Sequence, residues 1–198
     1  MIRSFLLAVL LSQSNQQQSQ YFASKILEQV SQGLIASNNI QTIAAIATGN
    51  GVQVSSICNW PDGAHGVRLD YGQSNWRCVW ARGNPEQPYE NSWAAGNLDL
   101  NQYIQIGFTQ PRVVHRIRTQ GKNEGQQWVT YYKVSYSLNG IDWINYDNGR
   151  EIKGNVDQRT IVTQDLNPFI ARAIRIQPTQ WYSFIGMRAE VYYYDYLY

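Results

Sequence analysis

The sequence predicts an antiparallel β-sandwich preceded by a short helical segment, an all-β fold class. Three observations carry this. First, residues 127–143 read QWVTYYKVSYSLNGIDW, where Tyr132, Val134 and Tyr136 alternate with Tyr131, Lys133, Ser135 and Ser137. That period of two makes one face apolar and leaves the other to water. Second, Asn139-Gly140 follows at once and apolar residues resume over 141–144; Asn-Gly tolerates the positive φ of a tight hairpin turn. Third, further runs of the same kind recur downstream of Val52, and 14 Tyr and 7 Trp suit strands and binding surfaces better than helices.

Taken in order, the chain opens on MIRSFLLAVLLS, with Arg3 before an apolar run over 5–11 and a polar QSNQQQSQ after it. This is the pattern of a secretory signal peptide, because so short an apolar run falls short of a bilayer; an apolar N-terminal helix on a cytosolic protein is the alternative. Cleavage after Ser12, Ser14 or Ala23 fits equally. Residues 1–20 are read as signal and polar leader, 21–51 as the helical segment and 52–198 as the sandwich. In the helical segment Ile26, Leu27, Val30, Leu34 and Ile35 recur at helical spacing, with Ser24 as a candidate cap and Gly33 as a weak point. IQTIAAI over 40–46 reads as a second short helix, broken by Gly49-Asn50-Gly51.

Strands follow. Over 102–108 Ile104, Ile106 and Phe108 share a face, and Gln110-Pro111 is expected to end the strand. Residues 113–119 form another, 160–162 a short β-branched one, and 171–177 a strand with Ile174 and Ile176 inward, closed by Pro178. In the last, Met187, Ala189, Val191 and Tyr193 alternate with Arg188, Glu190, Tyr192 and Tyr194. Many short strands separated by turn signals indicate a sandwich or barrel. The expected core holds Ile104, Ile106, Val134, Tyr136, Trp143 and Ile176.

Composition narrows the function. A length of 198 residues fits one domain, and a net charge of +2 without a basic run argues against nucleic acid or a polybasic membrane patch. Only two histidines exist, and no nucleophile elbow, metal-ligand spacing or Gly-rich phosphate loop is present. The reading is a binding module without catalytic residues, cofactor or metal.

Several blocks then stand in a telling order: NSWAAGNLDLNQYIQIGF (91–108), HRIRTQG (115–121), the hairpin, and IRIQPTQWYSFIGMRAEVYY (174–193). From about residue 54 to 194 the chain resembles the discoidin domain, shared by slime-mould discoidins and the C-terminal modules of coagulation factors five and eight. The resemblance implies a distorted, galactose-binding-like jelly roll whose loops project from one end and carry the binding site. VSSI (54–57) is similar to the strand before the first loop, which places Trp60, Asp62 and His65 on that loop. VRLD (67–70) matches the family's Arg-Leu-Asn strand. The second loop runs from Tyr71 to Trp93, longer than is usual, and carries Trp76, Arg77 and Trp80. The third, 121–127, carries Lys122, Asn123 and Glu124.

The resemblance also places Cys58 and Cys78 on two adjacent loops, while the family's usual end-to-end disulfide lacks its cysteines here. Export favours a Cys58–Cys78 bridge; two free thiols are the alternative, since one pair does not make a framework. Trp93, Trp128, Trp143 and Trp181 are read as core or core rim, and Arg68, Arg188 and Glu190 as charge-paired structural residues. A structural Ca²⁺ at Glu190 is not expected, because YENSW lacks the usual partner Asp.

Members of the family bind galactose-type sugars, anionic phospholipids, collagen or other proteins. Aromatic rings beside polar donors suit a sugar: the ring stacks on a pyranose C–H face while Arg, Asn and His bond its hydroxyls. The expected ligand site is Trp60, Asp62, His65, Trp76, Arg77, Trp80 and Lys122, on an extracellular or cell-surface adhesion module for a carbohydrate or glycoprotein. Phospholipid binding by the same loops and a protein–protein docking role are the alternatives. Asp62, Glu86, Glu90 and Glu124 would face an anionic membrane unfavourably.

Overall fold

The computed structural model describes residues 40–46, 48, 50–58, 92–122 and 125–196, together with Tyr21, Ser24, Lys25 and Glu28. Nine strands are described: β1 (Ile40–Ala44), β2 (Gly51–Val54), β3 (Trp93–Ala94), β4 (Ile104–Gly121), β5 (Trp128–Ser137), β6 (Ile144–Asn145), β7 (Ile152–Lys153), β8 (Val162–Tyr182) and β9 (Gly186–Tyr196). All pairings are antiparallel, in the order β1-β9-β4-β8-β5-β6, with β2 on β4, β3 on β9 and β7 on β5.

The two long strands make this one ladder into a two-layered fold. The first part of β4 pairs Ile104–Gly107 with Ile176–Ala173 of β8 and with β2; its second part pairs with the start of β8 and with β9. The register shifts between Gly107 and Arg112, where both strands pass from one layer to the other. Pro111 lies inside that shift. A proline there deletes no ladder hydrogen bond, so it bends β4 instead of ending it as expected. Pro178 is likewise carried within β8, opposite Tyr132 beside another shift.

The period-two reading holds. Ile104, Ile106, Ile174 and Ile176 are fully buried, as are Tyr132 and Val134 within a per cent, and they join Ile117, Val191 and Tyr193 of the other layer in one core. Burial of this kind stabilises by about 1.5–3 kcal/mol per large apolar side chain. Tyr136 packs on the core from its rim. Trp143 does not enter it. The hairpin loop is residues 138–143 rather than a two-residue turn, because Asn139 Oδ1 accepts from the Ile141 and Asp142 N–H groups (2.8 and 2.9 Å) and Gly140 takes φ +80°. Trp143 therefore lies outside the strand pattern, only half-buried, with the Arg175 guanidinium 3.8 Å from its ring centroid.

The second predicted helix is also overturned. Residues 40–44 are β1, pairing Ile40–Ala44 with Tyr196–Tyr192 of β9. The β-branched Ile40, Thr42 and Ile43 complete the ladder on β9, and a local 3.6 periodicity yields to that pairing. The turn after β1 is fixed by Glu190, whose Oε1 accepts from the Ile46 N–H (2.7 Å) and the Val191 N–H (3.0 Å). Upstream, Tyr21, Ser24, Lys25 and Glu28 are helical, and Ser24 Oγ donates to the Tyr21 carbonyl (2.8 Å), so Ser24 sits within that turn instead of capping it.

Candidate functional site

The ladder register decides where the loops stand. β2 leads to Cys58 beside the start of β4; the third loop joins the end of β4 to the start of β5; β8 turns into β9 over residues 183–185. All three connections leave the same end of the sandwich. The 138–143 hairpin loop, following Ser137 opposite Ala173, lies at the other end.

The loop bases are tied around the start of β9. The Cys58 N–H donates to the Ala94 carbonyl (2.9 Å), so the first loop departs where the second returns. Ala94 pairs with Gly186, and the Ala95 N–H donates to the Ile185 carbonyl (3.0 Å). Trp93 anchors this junction: its ring is fully buried and its Nε1–H donates to the Ser56 carbonyl (2.8 Å). Ser56 Oγ in turn donates to Gln102 Oε1 and accepts from the Gly96 N–H. On the other side of Gly186 stands Lys122; a Cβ at Gly186 would meet Lys122 Cβ at 2.9 Å. Gly186 thus lets the second and third loop bases approach one another.

The third loop closes by a hydrogen bond from the Lys122 N–H to the Gln127 carbonyl (2.9 Å), and Arg188 Nε donates to the Gly121 carbonyl (2.9 Å). Beside it the β7–β8 connection is rigid. Asp157 accepts from the Arg159 N–H, the Thr160 N–H and the Thr160 hydroxyl at 2.6–2.7 Å, which holds its carboxyl below the usual range, chiefly through Thr160. Asn155, buried, donates to the Thr119 and Thr160 carbonyls, and Gln158 Oε1 accepts from the Gln126 N–H (3.1 Å).

Of the expected ligand residues, Trp60, Asp62, His65, Trp76, Arg77 and Trp80 lie outside the described residues, as does Cys78. Lys122 is described, and it is buried at the base of the third loop. Cys58 is placed at the base of the first, and no free cysteine stands among the described residues. Arg188 and Glu190 are buried and hydrogen-bonded to backbone, in line with a structural role. His115 is also structural: it stacks on Tyr194 at 3.9 Å, and burial, with Arg116 adding, lowers its pKa to about 4. Among the described residues no group of three His, Cys, Asp or Glu side chains could hold a metal, and no helix is long and apolar enough to cross a membrane.

One feature at the loop end escaped the sequence reading. Trp128, the first residue of β5, stacks on Tyr182, the last of β8, with centroids 4.3 Å apart and planes 9° apart. Their proximity follows from the β5–β8 register, and residues 54 positions apart carry no local signal of it.

Known proteins share this fold. The F5/8 type C domain model matches residues 53–191. Discoidin-2 of Dictyostelium discoideum is 41% identical over 102 residues, covering 51% of this chain and 40% of that protein. Retinoschisin of Takifugu rubripes is 34% identical over 124 residues, 60% of this chain and 44% of that protein. The native structure of recombinant discoidin II of Dictyostelium discoideum superposes with a TM-score of 0.69 at 30% identity, covering 77% of this chain and 59% of that one. The chain spans about two fifths of the length of these curated relatives, and β1 precedes the matched range. The family is one of binding modules, not enzymes. With the ordered sequence blocks, the antiparallel sandwich and the single loop-bearing end in agreement, the chain belongs to the F5/8 type C, or discoidin, domain family.

Proposed function

We propose that this chain is an exported adhesion module that binds a galactose-like carbohydrate through the loops at the Gly186 end. The observation that carries the reading is the convergence of the first, second and third loop bases on the start of β9, within hydrogen-bonding or van der Waals reach of one another. A rigid base can present separated loop side chains to one ligand, and family members serve as carbohydrate-binding and adhesion modules. Trp60, Asp62, His65, Trp76, Arg77 and Trp80 are the proposed contacts, with Lys122 supporting the third loop from beneath. A Cys58–Cys78 bridge, which the absence of a free cysteine among the described residues supports, would tie the first loop to the second.

The test is a glycan array probed with the chain, followed by titration of the best ligand against a Trp76→Ala/Trp80→Ala variant. Galactose-terminated glycans should bind, and the double variant should lose them while unfolding at nearly the parent temperature. Sugar binding should survive high salt, whereas attraction to an anionic membrane weakens as charges are screened. Undiminished affinity in the double variant, or no glycan bound by the parent, would retire the reading.

A further inference from the structure

Three Asn-Gly pairs stand in the sequence: Asn50-Gly51, Asn139-Gly140 and Asn148-Gly149. A glycine after asparagine leaves its backbone nitrogen unshielded, because no Cβ stands beside it. That nitrogen can attack the asparagine carboxamide carbon and close a five-membered ring, an intramolecular step governed by orientation. The same residue follows each asparagine, so the fold decides which pair reacts.

Two of the pairs are held. The Asn50 Nδ2 donates to the Ala45 carbonyl (3.0 Å), as does the Asn50 backbone N–H (3.1 Å), and Gly51 is fixed in β2 opposite Gly107. The Asn139 carboxamide is held at both ends: Oδ1 accepts from the Ile141 and Asp142 N–H groups, and Nδ2 donates to Asp142 Oδ2 (2.8 Å). Its attacking nitrogen is held too, because the Gly140 N–H donates to Ser137 Oγ (2.8 Å). These bonds must break before the ring can close.

Asn148 is not held in this way. It is exposed, and its carboxamide has no hydrogen-bond partner among the described residues. It lies in the single 3-10 turn Tyr146–Gly149 between β6 and β7, on the outer edge of β5. Asp147 (φ +48°), Asn148 (φ +54°) and Gly149 (φ +79°) are left-handed in succession. The hydrogen bonds of a 3-10 turn are poor in geometry, and left-handed backbone is disfavoured at the two non-glycine residues. Turning the Asn148–Gly149 peptide toward the carboxamide therefore gives up little. What steadies the turn leaves the carboxamide untouched: Arg150 Nε pairs with Asp147 Oδ2 (2.5 Å), the Arg150 N–H donates to the Asp147 carbonyl (3.0 Å), and the Tyr146 hydroxyl accepts from the Asn167 N–H (2.8 Å).

We propose that Asn148 is a site of spontaneous deamidation, at which the folded chain acquires isoaspartate. The Gly149 nitrogen forms a bond to Asn148 Cγ and gives up its proton. The Cγ–Nδ2 bond breaks, and ammonia leaves with that proton. Solvent water then opens the succinimide: addition at the backbone carbonyl gives isoaspartate, and addition at Cγ gives aspartate. Either product places a new carboxylate beside the Asp147–Arg150 pair, and isoaspartate also lengthens the backbone of the turn by one methylene. An exported chain thereby gains a slow, age-dependent change of charge on an exposed turn.

The experiment incubates the full chain in mildly alkaline buffer, once folded and once in urea, and follows all three pairs by peptide mapping with fragmentation that separates isoaspartate from aspartate. In the folded chain Asn148 should convert first, with Asn50 and Asn139 at least about tenfold slower, since the net worth of one hydrogen bond amounts to about that factor in rate. In urea the three rates should converge, because the residue after each asparagine is the same. A second readout is ion exchange: the early acidic species of the folded parent should be missing from Asn148→Gln. An Asn148 amide retained while another pair converts, equal rates at all three pairs in the folded chain, or the same ranking in urea as in the fold would overturn the assignment, as would an early acidic species that persists in Asn148→Gln.

Discussion

Replacing Gly121 with Ala tests whether the loop end is a rigid base. Gly121 closes β4, and its carbonyl accepts from Arg188 Nε. A Cβ there would lie 2.6 Å from Gln158 Cα, 2.8 Å from the Asp157 carbonyl oxygen and 3.0 Å from Trp128 Cβ. The first two are backbone atoms of the β7–β8 connection, which Asp157 locks through its bonds to Arg159 and Thr160. Nothing there yields as a flexible side chain would. Overpacking of this kind costs about 1–3 kcal/mol. With a urea m-value of about 2 kcal/mol per molar, the unfolding midpoint should fall by about 0.5–1.5 M with its slope unchanged. Gly140→Ala is the control: nothing lies within 4 Å of its Cβ, so only its φ of +80° penalises it, by about 1–2 kcal/mol. Both variants are read by urea denaturation and by glycan titration. Gly121→Ala should also weaken glycan binding, since it displaces the third loop base, whereas Gly140→Ala, at the opposite end, should not. An unchanged midpoint in Gly121→Ala, or equal losses of binding in the two variants, would refute the rigid-base argument.

Three further outcomes are expected. Ile106→Ala removes a fully buried side chain between the layers and should cost about 2–5 kcal/mol in denaturant melts, without changing relative affinities among glycans. His115 is held near pKa 4 in the fold against 6.5 in the unfolded chain; the unfolded state then binds the extra proton between these values. Its contribution to stability is therefore full above about 6.5 and is lost as pH falls toward 4, and a His115→Phe variant should show a flatter pH profile of urea midpoints across that window. The proposed Cys58–Cys78 bridge closes a loop of about twenty residues, so reduction should lower stability by about 3 kcal/mol. Thiol counting on denatured, unreduced protein should find none, and two free thiols would refute the bridge.

The facing of the strands was legible in the sequence. Alternation is a local property, and Tyr132, Val134, Ile104, Ile106, Ile174 and Ile176 went to the core that their period of two assigned. The ordered blocks were enough to recognise the family and hence a single loop-bearing end. Partner-dependent features were not legible. Pro111 and Pro178 looked like strand ends, because whether a missing N–H interrupts a ladder depends on the register opposite it. Ile40–Ala44 looked helical because no local signal reveals the ladder that β9 offers it. The sequence assigns Trp143 to the core, but the Asn139 carboxamide, by capping two backbone N–H groups, lengthens the hairpin loop and carries the ring outward. The Trp128–Tyr182 stack forms only because β5 and β8 pair in one register. Sequence by itself determined which way the alternating strands face; the tertiary structure decided which strands continue, what they pair with and which aromatics meet at the loop end, because those depend on hydrogen bonds between residues far apart in the chain.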